Sequence, residues 1–486
     1  MYIPIDRSSS ISLPEQIADG IKNLIADDFI KLGDRLPSTR DLAESIGVNR
    51  NTIVSAYELL SMMELVESRV GVGSIVIGEL PPRRMTSIGA GFPWADAFVN
   101  SYHQPAYAIP RSSDKSQYIS LLRAYGGNEA LAREYTKILS KLNRTSGMDS
   151  IGTVLQYGHP PLISSIKQRM ALSGVDMRQR SILITDGGTS ANSLVLSLLT
   201  RPGDTVIIER PTYFQTIRWL KWNSCRIIEI PMTREGMNLD ALESSIHGRE
   251  IKLIYTQPNA HNPTGVTTSI EHKKRLIDIA LSGHIPILED NYLSEVRLGN
   301  HCNTSLSTFD TSGMVITTST LSKLLGQGLR VGYICADDRV ISHLERLQCH
   351  QRGPSAPLPQ MASHQLLNSL SFDKHVNQWA KELIGLKKTL TDTLNRIAGD
   401  KVIIWDSDSS TLWIETPGIT GEALAMACAR NDVLVLPGSW FVPESHGLQA
   451  IRIAVNHLSE TEAMEGAQII GRMILSKPVS SSDSGF

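Results

Sequence analysis

Ser319-Thr320-Leu321-Ser322-Lys323-Leu324-Leu325-Gly326-Gln327-Gly328-Leu329-Arg330-Val331-Gly332 sets a lysine among hydroxyl side chains directly after an apolar run, Met314 to Thr318, that reads as a strand. An arginine follows the lysine by 330 − 323 = 7 residues. A Ser-Lys pair alone carries no information, because most lysines are simply solvated. Its weight comes from what stands around it.

Upstream, Leu288-Glu289-Asp290-Asn291-Tyr292 ends another strand with an acid, 323 − 290 = 33 residues before Lys323. Pro258-Asn259-Ala260-His261-Asn262-Pro263-Thr264-Gly265 fixes the Asn262 side chain in a rigid turn. Glu209-Arg210-Pro211-Thr212-Tyr213 puts a tyrosine beyond a strand end. Thr185-Asp186-Gly187-Gly188-Thr189-Ser190-Ala191-Asn192 follows a strand and opens a helix, so its N–H groups and hydroxyls suit a phosphate. Pyridoxal phosphate demands a lysine for its aldehyde, a carboxylate for its ring nitrogen, donors for its phenolate oxygen, a dianion cradle and a ring to stack on. This chain supplies a candidate for each. Taken singly, a glycine turn is often only a turn and a tyrosine at a strand end is often only packing.

Between about residues 150 and 475, short β-branched runs (Ser181–Thr185, Thr205–Ile208, Lys252–Tyr255, Ile285–Leu288) alternate with helical stretches, which predicts an α/β sheet. The first part of the chain has another pattern. An amphipathic helix carries Ile17, Ile21, Leu24 and Ile25, two shorter helical patterns follow, and Val70 to Ile77 alternates with glycine punctuation. Three helices and a hairpin outline a winged helix. Within it Ser38 is placed to cap a helix carrying Leu42, Ala43 and Ile46, Gly47 to make the turn, and Asn49 to cap the next helix. Arg50, Asn51 and Thr52 then occupy the first turn of that helix, the end that reaches base edges in a helix-turn-helix. A helical bundle used for protein contact, with Arg40 and Arg50 merely solvated, is the plainer alternative.

Bulk properties bound the rest. At 486 residues and 41% hydrophobic composition, two or more domains are expected. No run of about 18 apolar residues occurs and no leader pattern opens the chain, so no membrane role is expected. Five scattered cysteines without CxxC or Cys/His pairing argue against disulfides and a metal site, and fit a reducing cytoplasm. Net charge is −2, and the first 80 residues hold seven Lys/Arg against twelve Asp/Glu, 7 − 12 = −5. DNA binding there would rest on a few placed arginines.

Residues 12 to 77 closely resemble the winged-helix domain of GntR-type bacterial repressors. The resemblance implies DNA contacts at Arg35, Ser38 and Arg40, at Arg50, Asn51 and Thr52, and at a wing tip of Arg69, Gly71 and Gly73. Residues 150 to 475 look like the fold type I aminotransferases, and the combination resembles the MocR family of regulators. That resemblance implies Lys323 as the Schiff-base lysine, Asp290 on the ring nitrogen, Asn262 and Tyr292 on the phenolate oxygen, and Tyr213 stacking. It further implies Gly188, Thr189, Thr320, Ser322 and Arg330 on the phosphate, Arg452 on a ligand α-carboxylate, and Tyr157 reaching a partner subunit's site, hence a homodimer. Two stretches depart from the family pattern on the substrate side: Pro160-Pro161-Leu162 with Ile166-Lys167, and Ser409-Ser410-Thr411-Leu412-Trp413.

The expected organisation is a winged helix-turn-helix at 1–78, a linker at 79–115, a pyridoxal-phosphate-binding aminotransferase-like domain at 116–475 with a smaller C-terminal α+β subdomain, and a disordered tail at 476–486. The expected function is a transcriptional regulator that binds double-stranded operator DNA and senses pyridoxal phosphate or a small amino compound through aldimine formation. The alternative is an active aminotransferase with an accessory DNA-binding domain; an inert scaffold would leave a complete cofactor set unused. The head discriminates between them, since a metabolic aminotransferase has no need of a helix-turn-helix. Trp413, Trp440 and Phe441 are candidates for an effector pocket, with core packing as the plainer reading.

Overall fold

The computed structural model describes residues 3, 5–7, 9, 11–26, 29–69, 73–78, 118–122, 129–147, 152, 155–293, 303–405, 407, 409–444 and 447–476. The expected linker and all of the tail but Ser476 lie outside them. The chain divides into two compact units, Met1–His103 and Gln104–Phe486.

In the smaller unit α1 (Leu13–Ala26), α2 (Thr39–Ile46) and α3 (Arg50–Met62) are followed by β1 (Val66–Arg69) and β2 (Gly73–Val76), an antiparallel pair. Ile17, Ile21 and Ile25 of α1 close with Leu42 of α2 and Ile53 and Leu60 of α3 into one core. Each fully buried aliphatic side chain is worth roughly 1.5–3 kcal/mol, which holds three short helices that would be marginal alone. The order is the expected one. β1 is an addition to the sequence reading: only Val66 of its four residues is buried, so no alternating apolar signal marks it.

Among the described residues the first element of the larger unit is a two-residue strand, β3 (Ile119–Ser120). Its main sheet has, among the described residues, eight strands: β4 (Arg180–Thr185), β5 (Thr205–Arg210), β6 (Arg226–Thr233), β7 (Gly236–Met237), β8 (Leu253–Thr256), β9 (Ile287–Asp290), β10 (Val315–Thr320) and β11 (Gly332–Asp337). Their spatial order is β4-β11-β10-β9-β8-β5-β6-β7. The strands from β10 to β6 pair in parallel, while β11 runs antiparallel to both its neighbours, so β4 points the same way as the parallel set. Both faces are covered: Val206 and Ile208 pack among Ala191, Leu194 and Leu344, and the intervening Ile207 packs among Leu276, Ile277 and Ala280. That two-sided burial explains why these strands read as continuous apolar runs.

Beyond the main sheet come β12 (Ile403–Ile404), β13 (Thr411–Glu415), β14 (Val433–Leu434), β15 (Leu436–Pro437) and β16 (Ala450–Ala454). β12, β13, β16 and β15 form a second sheet, and β14 pairs with β3. Helices Phe372–Ala398 and Glu460–Leu475 pack on this part, which is the smaller α+β portion expected from the sequence.

Candidate functional site

The ends of β4, β9 and β10 lie at one edge of the main sheet, and the turns that leave them build a cleft. Its lining comprises Gly188, Thr189, Asn192, Tyr213, Gln257, Asn262, Asp290, Tyr292, Thr320, Ser322, Lys323 and Arg330. Every cofactor residue expected from the sequence except Tyr157 is among them.

Asp290 ends β9 and is 4% exposed. Its Oδ2 accepts from Asn192 Nδ2 at 2.8 Å, Tyr255 Oη at 2.8 Å and Gln257 Nε2 at 3.0 Å. Burial pushes this carboxyl up, while the three donors and Lys323 pull it back toward ionisation. Lys323 lies on the one-turn helix Ser322–Leu325 after β10. Its Nζ stands 5.4 Å from the centre of the Tyr292 ring, and burial lowers its pKa to about 8 against the attraction of Asp290.

Two backbone approaches shape the other end. Gly187 has φ +84° and heads the helix Gly188–Leu199. Gly332, on β11, comes so close that a Cβ there would stand 2.5 Å from the Gly187 carbonyl carbon. Any larger residue at 332 would push the turn apart. Arg330, in a left-handed conformation, donates to the Asp186 carbonyl and lies against Gly187. Thr320 Oγ donates to Val331 O at 3.0 Å and accepts from Ser322 N at 3.1 Å, so its hydroxyl already ties the lysine turn together. Ser322 Oγ and Asn262 Oδ1 are buried without a hydrogen-bond partner among the described residues.

Tyr292 donates its hydroxyl to Ala260 O at 2.6 Å, so an incoming acceptor would have to share or replace that bond. Tyr213, at the start of the helix Phe214–Trp222, stands on the cleft wall, and burial raises its pKa. Tyr157 is 41% exposed and outside the lining. Arg452 of β16 is 2% exposed and also outside the lining, yet close enough to lower the Lys323 pKa. Its Nη1 donates to Leu122 O at 2.8 Å, its Nε has no partner among the described residues, and burial lowers its pKa to about 10.

Sequence reasoning missed Asn192, Tyr255 and Gln257. They converge on Asp290 from 98, 35 and 33 residues away, a meeting that only the fold brings about. Trp413 and Phe441 are core residues, 3% and 0% exposed, packed edge to face at 6.1 Å. Trp440 packs against Phe214 in the same group.

In the smaller unit the caps are as expected. Ser38 Oγ accepts from Asp41 N at 3.2 Å, Gly47 is left-handed with φ 73°, and Asn49 Oδ1 accepts from Asn51 N at 2.9 Å. Tyr57 Oη donates to Pro37 O at 2.7 Å and ties α3 to the approach of α2. Arg35, Ser38, Arg40, Arg50, Asn51, Arg69 and Gly73 are exposed and Thr52 is half-buried, so the first turn of α3 is accessible. Arg50 Nε donates to Thr39 Oγ1 at 3.2 Å. The Arg35 guanidinium lies against Gly73, where a Cβ would approach its Nε to 3.0 Å, and Arg69 pairs with Glu67 at 2.8 Å. Gly71 lies outside the described residues. No group of three or more His, Cys, Asp or Glu suited to a metal, and no helix long and apolar enough to cross a membrane, occurs among the described residues.

Comparison with known proteins agrees with both units. The family described as aminotransferase class I and II matches residues 126–470, and that described as bacterial regulatory proteins, gntR family, matches residues 13–76. The chain is 24% identical over 465 residues to the uncharacterized HTH-type transcriptional regulator YdfD of Bacillus subtilis (strain 168), spanning 94% of this chain and 95% of that protein. It is 26% identical over 441 residues to the probable rhizopine catabolism regulatory protein MocR of Rhizobium meliloti, spanning 89% and 88%. Among solved structures, Pyrococcus horikoshii kynurenine aminotransferase superposes with a TM-score of 0.71 at 22% identity, covering 79% of this chain and 98% of that one, a likeness of fold. The chain belongs to the aminotransferase class I and II family, whose fold is pyridoxal-phosphate-dependent, and carries ahead of that domain a gntR-family helix-turn-helix domain in the manner of the MocR-type regulators.

Proposed function

We propose that this protein is a DNA-binding transcriptional regulator whose aminotransferase-like unit holds pyridoxal 5'-phosphate and responds to pyridoxal phosphate or a small amino compound. The observation that carries the reading is one chain holding two accessible constellations: exposed Arg40 and Arg50 on a capped helix-turn-helix, and the Asp290–Lys323 cleft.

The cleft fits the cofactor. Ser322 Oγ is a buried hydroxyl in want of a partner, and such an atom costs about 1–3 kcal/mol when left unpaired. Gly188, Thr189, Thr320, Ser322 and Arg330 would hold the phosphate, Asp290 the ring nitrogen, Asn262 and Tyr292 the phenolate oxygen, and Tyr213 the ring face. Bound there, pyridoxal phosphate supplies an electrophilic carbon for primary amines and a ring that withdraws electrons. Lys323 is the covalent anchor: with its pKa lowered to about 8 it takes and gives a proton close to neutral pH. Arg452, buried with an unpartnered Nε, suits the planar carboxylate of an amino-acid effector.

The lowered Lys323 pKa beside an intact Asp290 also favours a second reading, an aminotransferase half-reaction retained under the regulatory role. The resemblance of Tyr157 to a residue that reaches across subunits supports a homodimer. A DNA target implies the cytoplasm as its compartment.

The test is a paired one on the full-length protein. Loading with pyridoxal phosphate should give a visible absorption band that Lys323→Ala abolishes, and Arg50→Ala should lose retardation of a promoter fragment while keeping the band. An unaltered spectrum in Lys323→Ala, or unaltered retardation in Arg50→Ala, overturns the corresponding half. Steady amino-group transfer at about one turnover per second or faster would favour the enzyme reading.

A further inference from the structure

Gln257 sits between two of the residues assigned to the cofactor and touches both. Its Nε2 donates to Asp290 Oδ2 at 3.0 Å, and its Oε1 accepts from the backbone N–H of Asn262 at 3.1 Å. The side chain is 2% exposed and lines the cleft. Its own backbone is fixed as well, since Gln257 N donates to Glu209 Oε1 and Oε2 at 3.2 and 3.1 Å. Glu209 is 1% exposed and accepts a further bond from Thr256 Oγ1 at 2.5 Å. A primary amide is a neutral side-chain group that donates at one atom and accepts at the next. Here the donor meets a carboxylate and the acceptor meets the turn that carries the Asn262 side chain.

We propose that Gln257 is a positioning residue that joins the ring-nitrogen carboxylate, Asp290, to the ring-oxygen donor, Asn262, so that the two sides of the pyridoxal ring are set by one amide. The proposal rests on the reading of the Lys323 cleft as a pyridoxal phosphate site. Asn192 and Tyr255 also donate to Asp290 Oδ2, but no bond from either reaches Asn262 among the described residues. Gln257 therefore differs from them in what its loss should do. Without it, Asp290 loses a donor and becomes more basic, and the Asn262 turn loses an anchor, weakening the donor to the ring oxygen. The weaker donor leaves the ring oxygen more basic, so the proton it would share with the lysine-linked nitrogen, the one the visible band reports, is held more tightly, while the more basic Asp290 acts on the ring-nitrogen proton.

The experiment is a pH titration of the visible band of full-length protein loaded with pyridoxal phosphate, comparing wild type with Gln257→Met. Methionine keeps the length and volume of the side chain and deletes both amide contacts. The expected result is a midpoint raised by about one pH unit or more, a tenfold gain in proton affinity, with the cofactor still attached. A Gln257→Met protein that keeps the cofactor and titrates at the wild-type midpoint overturns the proposal. If that variant does not accumulate folded, Gln257→Leu serves: it too deletes both amide contacts, and its midpoint should rise likewise. An unchanged midpoint there overturns the assignment equally. A wild-type protein that gives no band with pyridoxal phosphate sinks the cofactor reading itself, and this assignment with it.

Discussion

Lys323 is held in a place that costs the cofactor-free protein stability. Its folded pKa, about 8, lies below the 10.5 of an ordinary lysine, so between those values the folded state binds fewer protons than the unfolded one. Stability attributable to this group therefore rises as pH climbs from about 8 to 10.5, and below 8 the full penalty of a buried ammonium is present. Lys323→Met should raise the stability of cofactor-free protein at pH 7 by up to roughly 3 kcal/mol, because a tenfold difference in proton affinity corresponds to about 1.4 kcal/mol. The gap should close by about pH 10.5; a constant gap across that range in a denaturant series would contradict the account. Arg50 is the counterpart in the proposed DNA contact. Arg50→Ala should weaken operator binding by about 1–3 kcal/mol in a titrated gel-shift assay and leave the cofactor band unmoved. Both residues were legible in the sequence because each stands beside a cap or strand-end signal that fixes its place. The donors behind Asp290 were not, since Asn192, Tyr255 and Gln257 are chemically ordinary until β4, β8 and β9 are assembled.

Elements were readable where local chemistry dictates them. Ser38, Gly47 and Asn49 have side chains or backbone freedom that serve one purpose in a helix-turn-helix, and each does that in the structure. The buried strands were readable from their β-branched runs. β11 running against its neighbours, and β1 with its exposed face, carry no comparable signal, because strand direction is a property of the sheet and exposed strand residues look like loop. The caps can be tested as elements. Ser38→Ala removes the bond to Asp41 N and should cost α2 about 1 kcal/mol. Because the chain has two units, a single melting temperature would mix them, so amide hydrogen exchange along residues 39–46 is the proper measure. Exchange there should quicken about fivefold while exchange in β9 and β10 stays as it was; equal acceleration in both would mean that Ser38 acts on more than its helix.

At the scale of the whole molecule the charge balance and the two constellations bear on one another. The winged-helix segment is acidic overall, 7 − 12 = −5 over the first 80 residues, so binding cannot lean on diffuse attraction to phosphates. The salt dependence of operator binding should be shallow, corresponding to only a few phosphate contacts per winged unit, and affinity for unrelated duplex should be poor; a steep dependence would point to basic residues outside that segment. Specific binding that rests on a few arginines is sensitive to how those arginines are presented, and under the proposed function this is what would let a ligand of the larger unit control it. If an amino compound that engages Lys323 and Arg452 changes operator affinity by a factor, linkage requires operator DNA to change the affinity for that compound by the same factor, about 5–150-fold for a coupling of about 1–3 kcal/mol. The measurement is a square of four titrations on the pyridoxal-phosphate-loaded protein: operator with and without the amino compound, and the compound, followed by the visible band, with and without operator. Equal factors on opposite sides of the square, both lost in Lys323→Ala, are expected. Equal factors that survive in Lys323→Ala would move the sensing away from the lysine, and factors of one on both sides would leave the two units of this chain uncoupled.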